Sequence, residues 1–121
     1  MLNDLIAHIS KTVGIDAGVA QQAVGLMLGF LKKEGDDSAV SNMFAQVAGA
    51  DALADEHIGE LGGGFMGGGV MGLGQKLMGL GLGMGEISGV AKETIAYAKE
   101  KSDPATVDAV VASIPGLSQF V

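Results

Sequence analysis

The residues best suited to chemistry in this chain lie in an acidic segment near its middle. His57 and Glu60 are three positions apart, so on a helix their side chains share one face, and Asp55 lies close by. An imidazole and carboxylates together are ligands for a divalent metal ion. A metal site needs three converging ligands, and this spacing predicts convergence of only two. We therefore expect no bound metal and interpret the segment as a solvated acidic face, with weak metal binding as the alternative.

No other motif predicts a catalytic centre or a cofactor. Gly62, Gly64 and Gly67 match the pattern GxGxxG, but a dinucleotide site needs a strand before this pattern, and here an acidic helical segment precedes it. Lys76 lacks the GK[ST] context of a phosphate-binding loop. The chain contains no cysteine, which excludes a thiolate nucleophile and a disulfide. We expect a protein without enzymatic activity.

The charge balance argues against two classes of partner. Fourteen acidic residues stand against seven basic ones, all of them lysine, and the net charge is −7. Such a chain repels phosphate backbones and lacks the arginine fork that clamps phosphate or reads guanine. Nucleic-acid binding is therefore not expected, and adhesion to anionic lipid by charge is disfavoured. With no basic, apolar signal segment at its start, the chain is expected to be cytoplasmic.

One stretch, residues 61–85, concentrates twelve of the twenty-one glycines and four of the seven methionines. Three interpretations remain open. It can join two helical units and let helices pack closely; it can expose a glycine and methionine surface to an apolar protein partner; or it can enter a membrane through small residues spaced four apart. The membrane alternative is the least favoured, since Lys76 interrupts the stretch. The candidate partner-binding residues are Phe65, Met66 and Met71.

Hydrophobic residues recur at helical spacing on both sides of this stretch, which predicts an all-α bundle of about six helices. Within the glycine-rich stretch itself, Leu73, Leu77, Leu80 and Met84 form one helical stripe. Gly25 and Gly29 lie four apart inside a predicted helix over residues 17–34. Glycine in mid-helix costs about 1 kcal/mol against alanine, so this pair predicts the close approach of another helix.

The two flanks of the stretch resemble each other when they are shifted by 67 residues. The apolar positions of residues 20–31 fall on those of 87–98, and Asp36 falls on Asp103. Further upstream, a two-residue adjustment places Val13-Gly14-Ile15 on Leu82-Gly83-Met84. We predict one domain over residues 1–121 with two tandem three-helix units, 1–50 and 70–121, that share one core. Residues 51–69 are the acidic segment and glycine-rich joint between them.

The last forty residues resemble a known family. The segment LGLGMGEISGVAKETIAYAKEK, the capped helix after it and the closing SIPGLSQF are similar to the small bacterial VcgC/VcgE-type proteins of unknown function. The resemblance implies an all-helical fold and no catalytic residue. Together with the residue patterns, it favours a small interaction or structural module that binds a protein partner or itself as a homodimer.

Overall fold

The computed structural model describes residues 2–47, 49–58, 69–114 and 117, and within them every regular element is a helix. The prediction of an all-α bundle is confirmed, with seven α-helices in these residues against about six expected. The helices are α1 (Leu2–Ile9), which runs into a π-helical turn (Ser10–Gly14), α2 (Ala17–Glu34), α3 (Asp37–Gln46), α4 (Ala50–Ile58), α5 (Gly69–Met78), α6 (Met84–Lys101) and α7 (Pro104–Ser113).

Helix α2 lies at the centre of the bundle. Asp16 caps its first turn by accepting a hydrogen bond from the backbone N–H of Gly18 at 3.0 Å, and the helix ends where the Gly35 N–H donates to the Leu31 carbonyl. Residues 23–31 are all buried, on every side of the helix. A helix that is apolar all round needs neighbours all round. Helices α1, α4, α5 and α6 supply them.

The two mid-helix glycines of α2 lie under α4. A Cβ atom built on Gly29 would lie 3.2 Å from the Ala54 carbonyl oxygen and from backbone atoms of Ile58. A Cβ atom on Gly25 would lie 2.8 Å from ring atoms of His57. The absence of a side chain lets the α4 backbone approach Gly29 and leaves room for the His57 ring over Gly25. The predicted close approach of a helix to Gly25 and Gly29 is confirmed.

The approaching helix comes from the segment that the sequence presents as part of the joint. Ala50, Leu53 and Ala54 of α4 are buried against the core, while Asp51, Asp55 and Glu56 are exposed. Small alanines on the inner face let α4 lie flat on α2. Residues 50–58 are therefore a packed core element, and only the rest of the predicted joint, residues 59–68, lies between the described parts of the chain.

The helices of the two halves correspond in length and position. Helices α2 and α6 each contain 18 residues, and α3 and α7 each contain 10. Both pairs start 67 positions apart. Asp36 and Asp103 precede the two shorter helices, and Pro104 adds its fixed φ to the first turn of α7. The two halves therefore agree in the lengths and spacing of these four helices.

The first helix of each half ends at a glycine in a left-handed conformation. Gly14 has φ 82° and Gly81 has φ 92°, again 67 positions apart. The two-residue adjustment expected from the sequence is therefore wrong. Five positions separate buried Ile9 from Gly14, whereas four separate buried Leu77 from Gly81. The π-helical turn accommodates the extra residue, with the Ile15 N–H donating to the Ser10 carbonyl at 3.1 Å.

Packing between the halves is reciprocal. Helix α1 packs on α6, and its counterpart α5 packs on α2; the counterparts α2 and α6 touch each other, as do α3 and α7. Helix α4 has no counterpart in this pattern among the described residues, although its contact with α2 is extensive. One hydrogen bond also crosses the boundary, from the Asp36 N–H to the Ser113 hydroxyl at 2.9 Å.

Within the described residues, no single helix is both long enough and apolar enough to cross a membrane. One bent pair, Asn3–Gly14 with Ala17–Glu34, meets the length and composition requirement only when the two are combined, and the bend between them is 112°.

Candidate functional site

The candidate metal ligands do not converge in the part of the chain that is described. The Asp55 carboxylate is 2.6 Å from the Lys32 ammonium, which also lies 2.5 Å from Asp51. His57 is two positions further along α4 and its ring lies over Gly25. Glu60 falls outside the described residues. Among the residues that are described, no three His, Asp or Glu side chains are placed to hold a metal ion.

Lys32 instead joins α2 to the acidic face of α4. The Lys32 ammonium donates hydrogen bonds to Asp51 and Asp55, and these bonds, that to Asp51 first, raise its pKa above the usual value. Exposed ion pairs contribute little to stability, typically below about 1 kcal/mol. The two ion pairs of Lys32 join α2 to α4, beside the close contacts of Gly25 and Gly29 with α4.

A second cluster of polar side chains lines a groove of about 290 Å³ between α1 and α6. His8 Nε2 lies 2.7 Å from Glu93 Oε1, and Lys101 Nζ is 5.6 Å from the centroid of the Tyr97 ring. The remaining lining residues are Asp4, Leu5, Ala96 and Glu100. Through these side chains, α1 contacts the C-terminal half of α6.

Tyr97 is the most perturbed group in this groove. Partial burial raises the pKa of its phenol, and the negative charges of Asp4 and Glu100 raise it further. The phenol therefore stays protonated through the neutral range. His8 is exposed, and its contact with Glu93 is a solvated surface pair. The groove supplies polar attachment between two helices, and its lining contains no serine, threonine or cysteine nucleophile.

The most unusual surface feature is the turn between α5 and α6. Met78 is 49% exposed and Met84 is 64% exposed, and they are the two large hydrophobic side chains that are exposed in the described residues. No charged residue occurs between Lys76 and Glu86. The glycines between the methionines leave their side chains uncovered. Leu82, by contrast, is buried in the core. We call the segment from Met78 to Met84 the methionine turn.

The corresponding turn in the first half is an internal comparison for this feature. The inward positions are apolar in both halves, with Val13 and Ile15 in the first and Leu80 and Leu82 in the second. The outward positions differ. Lys11, Thr12, Asp16 and Ala17 stand at the positions of Met78, Gly79, Gly83 and Met84. The first half thus reaches its 18-residue helix through a turn without exposed methionines.

An apolar cleft lies directly beside the methionine turn. Its lining contains only apolar residues and one glycine, namely Met27, Leu73, Gly74, Leu77, Ile87, Ala91 and Leu117. Gly74 is partly exposed, and a Cβ atom built on it would have no atom within 4 Å. The cleft is shallow, with a volume of only about 20 Å³, and opens beside Gly74, one helical turn from Met78.

The sequence placed the partner-binding residues elsewhere in the same stretch. Phe65 and Met66 lie outside the described residues. Met71 lies in α5, and only its backbone belongs to the described part of the chain. Met84 was expected on one helical stripe with Leu73, and this prediction is wrong because α5 ends at Met78 and a turn with the left-handed Gly81 follows. The apolar residues keep helical spacing through the turn, so their periodicity does not indicate where α5 ends. The sequence signal for an exposed turn is the polar residues Lys11, Thr12 and Asp16 in the corresponding turn of the first half.

Comparison with protein-family models, with curated proteins and with solved structures gave no match to this chain.

Proposed function

We propose that this chain is a small interaction module without enzymatic activity and that it binds an apolar surface through the methionine turn. One observation carries the proposal. Met78 and Met84 are exposed on a turn whose counterpart in the other half presents Lys11 and Ala17 at the same positions. We also interpret the two halves as a repeat, which makes this difference between them a specialisation of the second unit.

Methionine suits such a role for a physical reason. Its unbranched, polarisable side chain adapts to irregular apolar surfaces and loses little by changing rotamer. Full burial of a side chain of this size contributes roughly 1.5–3 kcal/mol. The exposed parts of Met78 and Met84 do not make this contribution in the free chain. A partner that covers Met78 and Met84 recovers part of this free energy.

A protein surface is favoured over lipid as the partner. The net charge of −7 opposes approach to an anionic membrane, and the turn itself offers no lysine cluster to offset this repulsion. Divalent-metal binding through the acidic segment is not supported, since Asp55 is held by Lys32 and His57 by its place over Gly25. The resemblance to VcgC/VcgE-type proteins is compatible with an interaction role and adds no residue to it.

The proposal is tested with the double variant Met78→Gln/Met84→Gln, which keeps side-chain length and removes apolar character. An apolar fluorescent dye should bind the unaltered chain and lose most of its signal with the variant, while the thermal midpoint of unfolding stays unchanged. The matched control is Lys11→Gln/Ala17→Gln on the other turn, which should leave dye binding intact. Equal dye signals from all three proteins would show that the methionine turn is not a binding surface.

A further inference from the structure

The methionine turn exposes two sulfur atoms of a kind that the core protects elsewhere. Met78 and Met84 are exposed, whereas Met27 and Met43 are fully buried. A thioether is oxidised to a sulfoxide only where an oxidant reaches the sulfur. Among the methionine side chains that the structure describes, accessibility therefore separates two oxidisable residues on the turn from two protected residues in the core.

The backbone of the turn is held without help from the methionine side chains. The Gly81 N–H donates to the Met78 carbonyl at 2.9 Å, and the Gly83 N–H donates to Glu86 Oε1 at 2.8 Å. Leu82, inside the turn, is buried in the core. An oxygen atom added to either exposed sulfur therefore changes the polarity of the surface and leaves the helices in place.

We infer that the methionine turn is an oxidation site, at which a peroxide converts Met78 and Met84 to methionine sulfoxide and thereby abolishes the apolar contact. The inference rests on the proposed function, because it concerns the regulation of that same surface. Hydrogen peroxide is a suitable oxidant because it is small and uncharged, so the net charge of −7 does not repel it.

The reaction transfers one oxygen atom from the peroxide to the sulfur. A lone pair of the thioether sulfur attacks one peroxide oxygen, a sulfur–oxygen bond forms and the oxygen–oxygen bond breaks. The proton on the transferred oxygen moves to the departing hydroxide, which leaves as water. The sulfur is oxidised and the peroxide is reduced, and each new sulfoxide places a polar hydrogen-bond acceptor on the turn.

A sulfoxide on this turn opposes binding to an apolar surface. A partner that covers the turn must remove water from the new acceptor, and an apolar partner offers no hydrogen bond in return. Enzymatic reduction restores the thioether, so the change is reversible. The corresponding turn of the first half has Lys11 and Ala17 at these positions, and neither side chain undergoes this reaction.

The positions of the lysines allow the oxidised residues to be identified by peptide mass analysis. Cleavage after lysine gives residues 77–92, whose only methionines are Met78 and Met84, and residues 12–32, whose only methionine is Met27. The folded chain is treated with hydrogen peroxide for a series of times and is then denatured and cleaved. Oxygen should enter the first peptide at least about tenfold faster, because the buried Met27 reacts only after local opening.

The effect on binding is measured with the apolar dye and two double variants. Met78→Leu/Met84→Leu keeps the side chains apolar and removes the sulfur, so it should bind the dye before and after peroxide treatment. Met78→Gln/Met84→Gln has an amide where the oxidised chain has a sulfoxide, and it should bind little dye in either state. The unaltered chain should lose most of its dye signal on oxidation and regain it after treatment with methionine sulfoxide reductases.

Several results would overturn the inference. Equal oxidation rates for the two peptides would contradict a selective site. If the oxidised chain binds dye like the untreated chain while the glutamine variant does not, the oxidation switch is wrong and the proposed function survives. A leucine variant that loses its dye signal on peroxide treatment would assign the effect to another methionine.

A glutamine variant that binds dye like the unaltered chain would contradict the proposed function itself, even where residues 77–92 are oxidised first. The helical circular dichroism signal of the unaltered chain should be the same before and after oxidation. Its loss would contradict a change that is confined to the surface.

Discussion

Gly14 and Gly81 occupy the same place in the two halves of this chain, 67 residues apart, with φ values of 82° and 92°. Each ends the first helix of its half and directs the chain into an 18-residue helix. Left-handed backbone is sterically costly for a residue that has a Cβ atom. The two glycines therefore share a backbone conformation, although the outward side chains near them, such as Lys11 and Met78, differ in polarity.

Replacing either glycine by alanine should cost a similar amount of stability. No atom lies within 4 Å of a Cβ built at either position, so the penalty for Gly14→Ala and Gly81→Ala is that of the backbone alone, about 1–2 kcal/mol. Urea denaturation measures both. A loss at one position and none at the other would show that the two turns are not equivalent.

Alanine substitutions should have opposite effects at two other glycines, both in mid-helix. At Gly29 the new Cβ would press on the backbone of α4, and we expect Gly29→Ala to lower stability by about 1–2 kcal/mol despite its better helix propensity. Gly74→Ala meets open space and should raise stability by up to about 1 kcal/mol. Stabilisation by both substitutions would contradict the close packing of α4 on α2.

Thr94 carries the one buried side-chain polar atom without a hydrogen-bond partner in the described residues. Its counterpart in the first half is Met27, which is fully buried as well. Thr94→Val keeps the shape and removes the hydroxyl, so it should raise the free energy of unfolding by about 1 kcal/mol. Thr106→Val is the control. Its hydroxyl donates to Asp103 at 3.2 Å, and its loss should destabilise the start of α7.

Tyr97 gives a prediction for alkaline pH. Burial, and then the charges of Asp4 and Glu100, raise the pKa of its phenol above the ordinary value of a tyrosine, so the folded chain retains this proton at a pH where the unfolded chain has released it. The contribution of Tyr97 to stability is therefore constant below that value and is lost as the pH rises through the folded pKa.

The chain contains one tyrosine and no tryptophan, so ultraviolet absorbance of the phenolate reports Tyr97 alone. Glu100→Gln should lower the midpoint of this titration without returning it to the ordinary value, since burial is the larger cause. Identical midpoints in native and denatured protein would contradict the half-buried position of the ring.

The sequence predicts local features of this fold better than it predicts contacts between distant residues. Asp16 and Asp36 are recognisable as helix caps, and Gly25 and Gly29 announce a close neighbour because mid-helix glycine is otherwise unfavourable. That α4 is the neighbour could not be read from the pattern. Its buried residues are mostly alanine, which gives a weak amphipathic signal, and the His57–Gly25 contact joins residues far apart in the chain.

The methionine turn shows the same limit at the candidate site. Helical spacing continues from Leu73 to Met84, so periodicity alone assigns Met84 to the core. The left-handed Gly81 breaks the helix between them, and this depends on backbone conformation that a glycine permits but does not dictate. The residues 67 positions earlier, Lys11 and Ala17, indicate an exposed turn more clearly than the periodicity does.

Methionine-methyl NMR tests the interaction surface most directly. The chain is labelled at its methionine methyl groups, Met78 and Met84 are assigned through their glutamine variants, and spectra are recorded with increasing amounts of an apolar dye. The signals of Met78 and Met84 should shift or broaden as the dye binds, while that of Met43, which is fully buried, should stay constant. Met78 and Met84 signals that remain sharp and unshifted while the dye binds in the same samples would contradict the proposed surface.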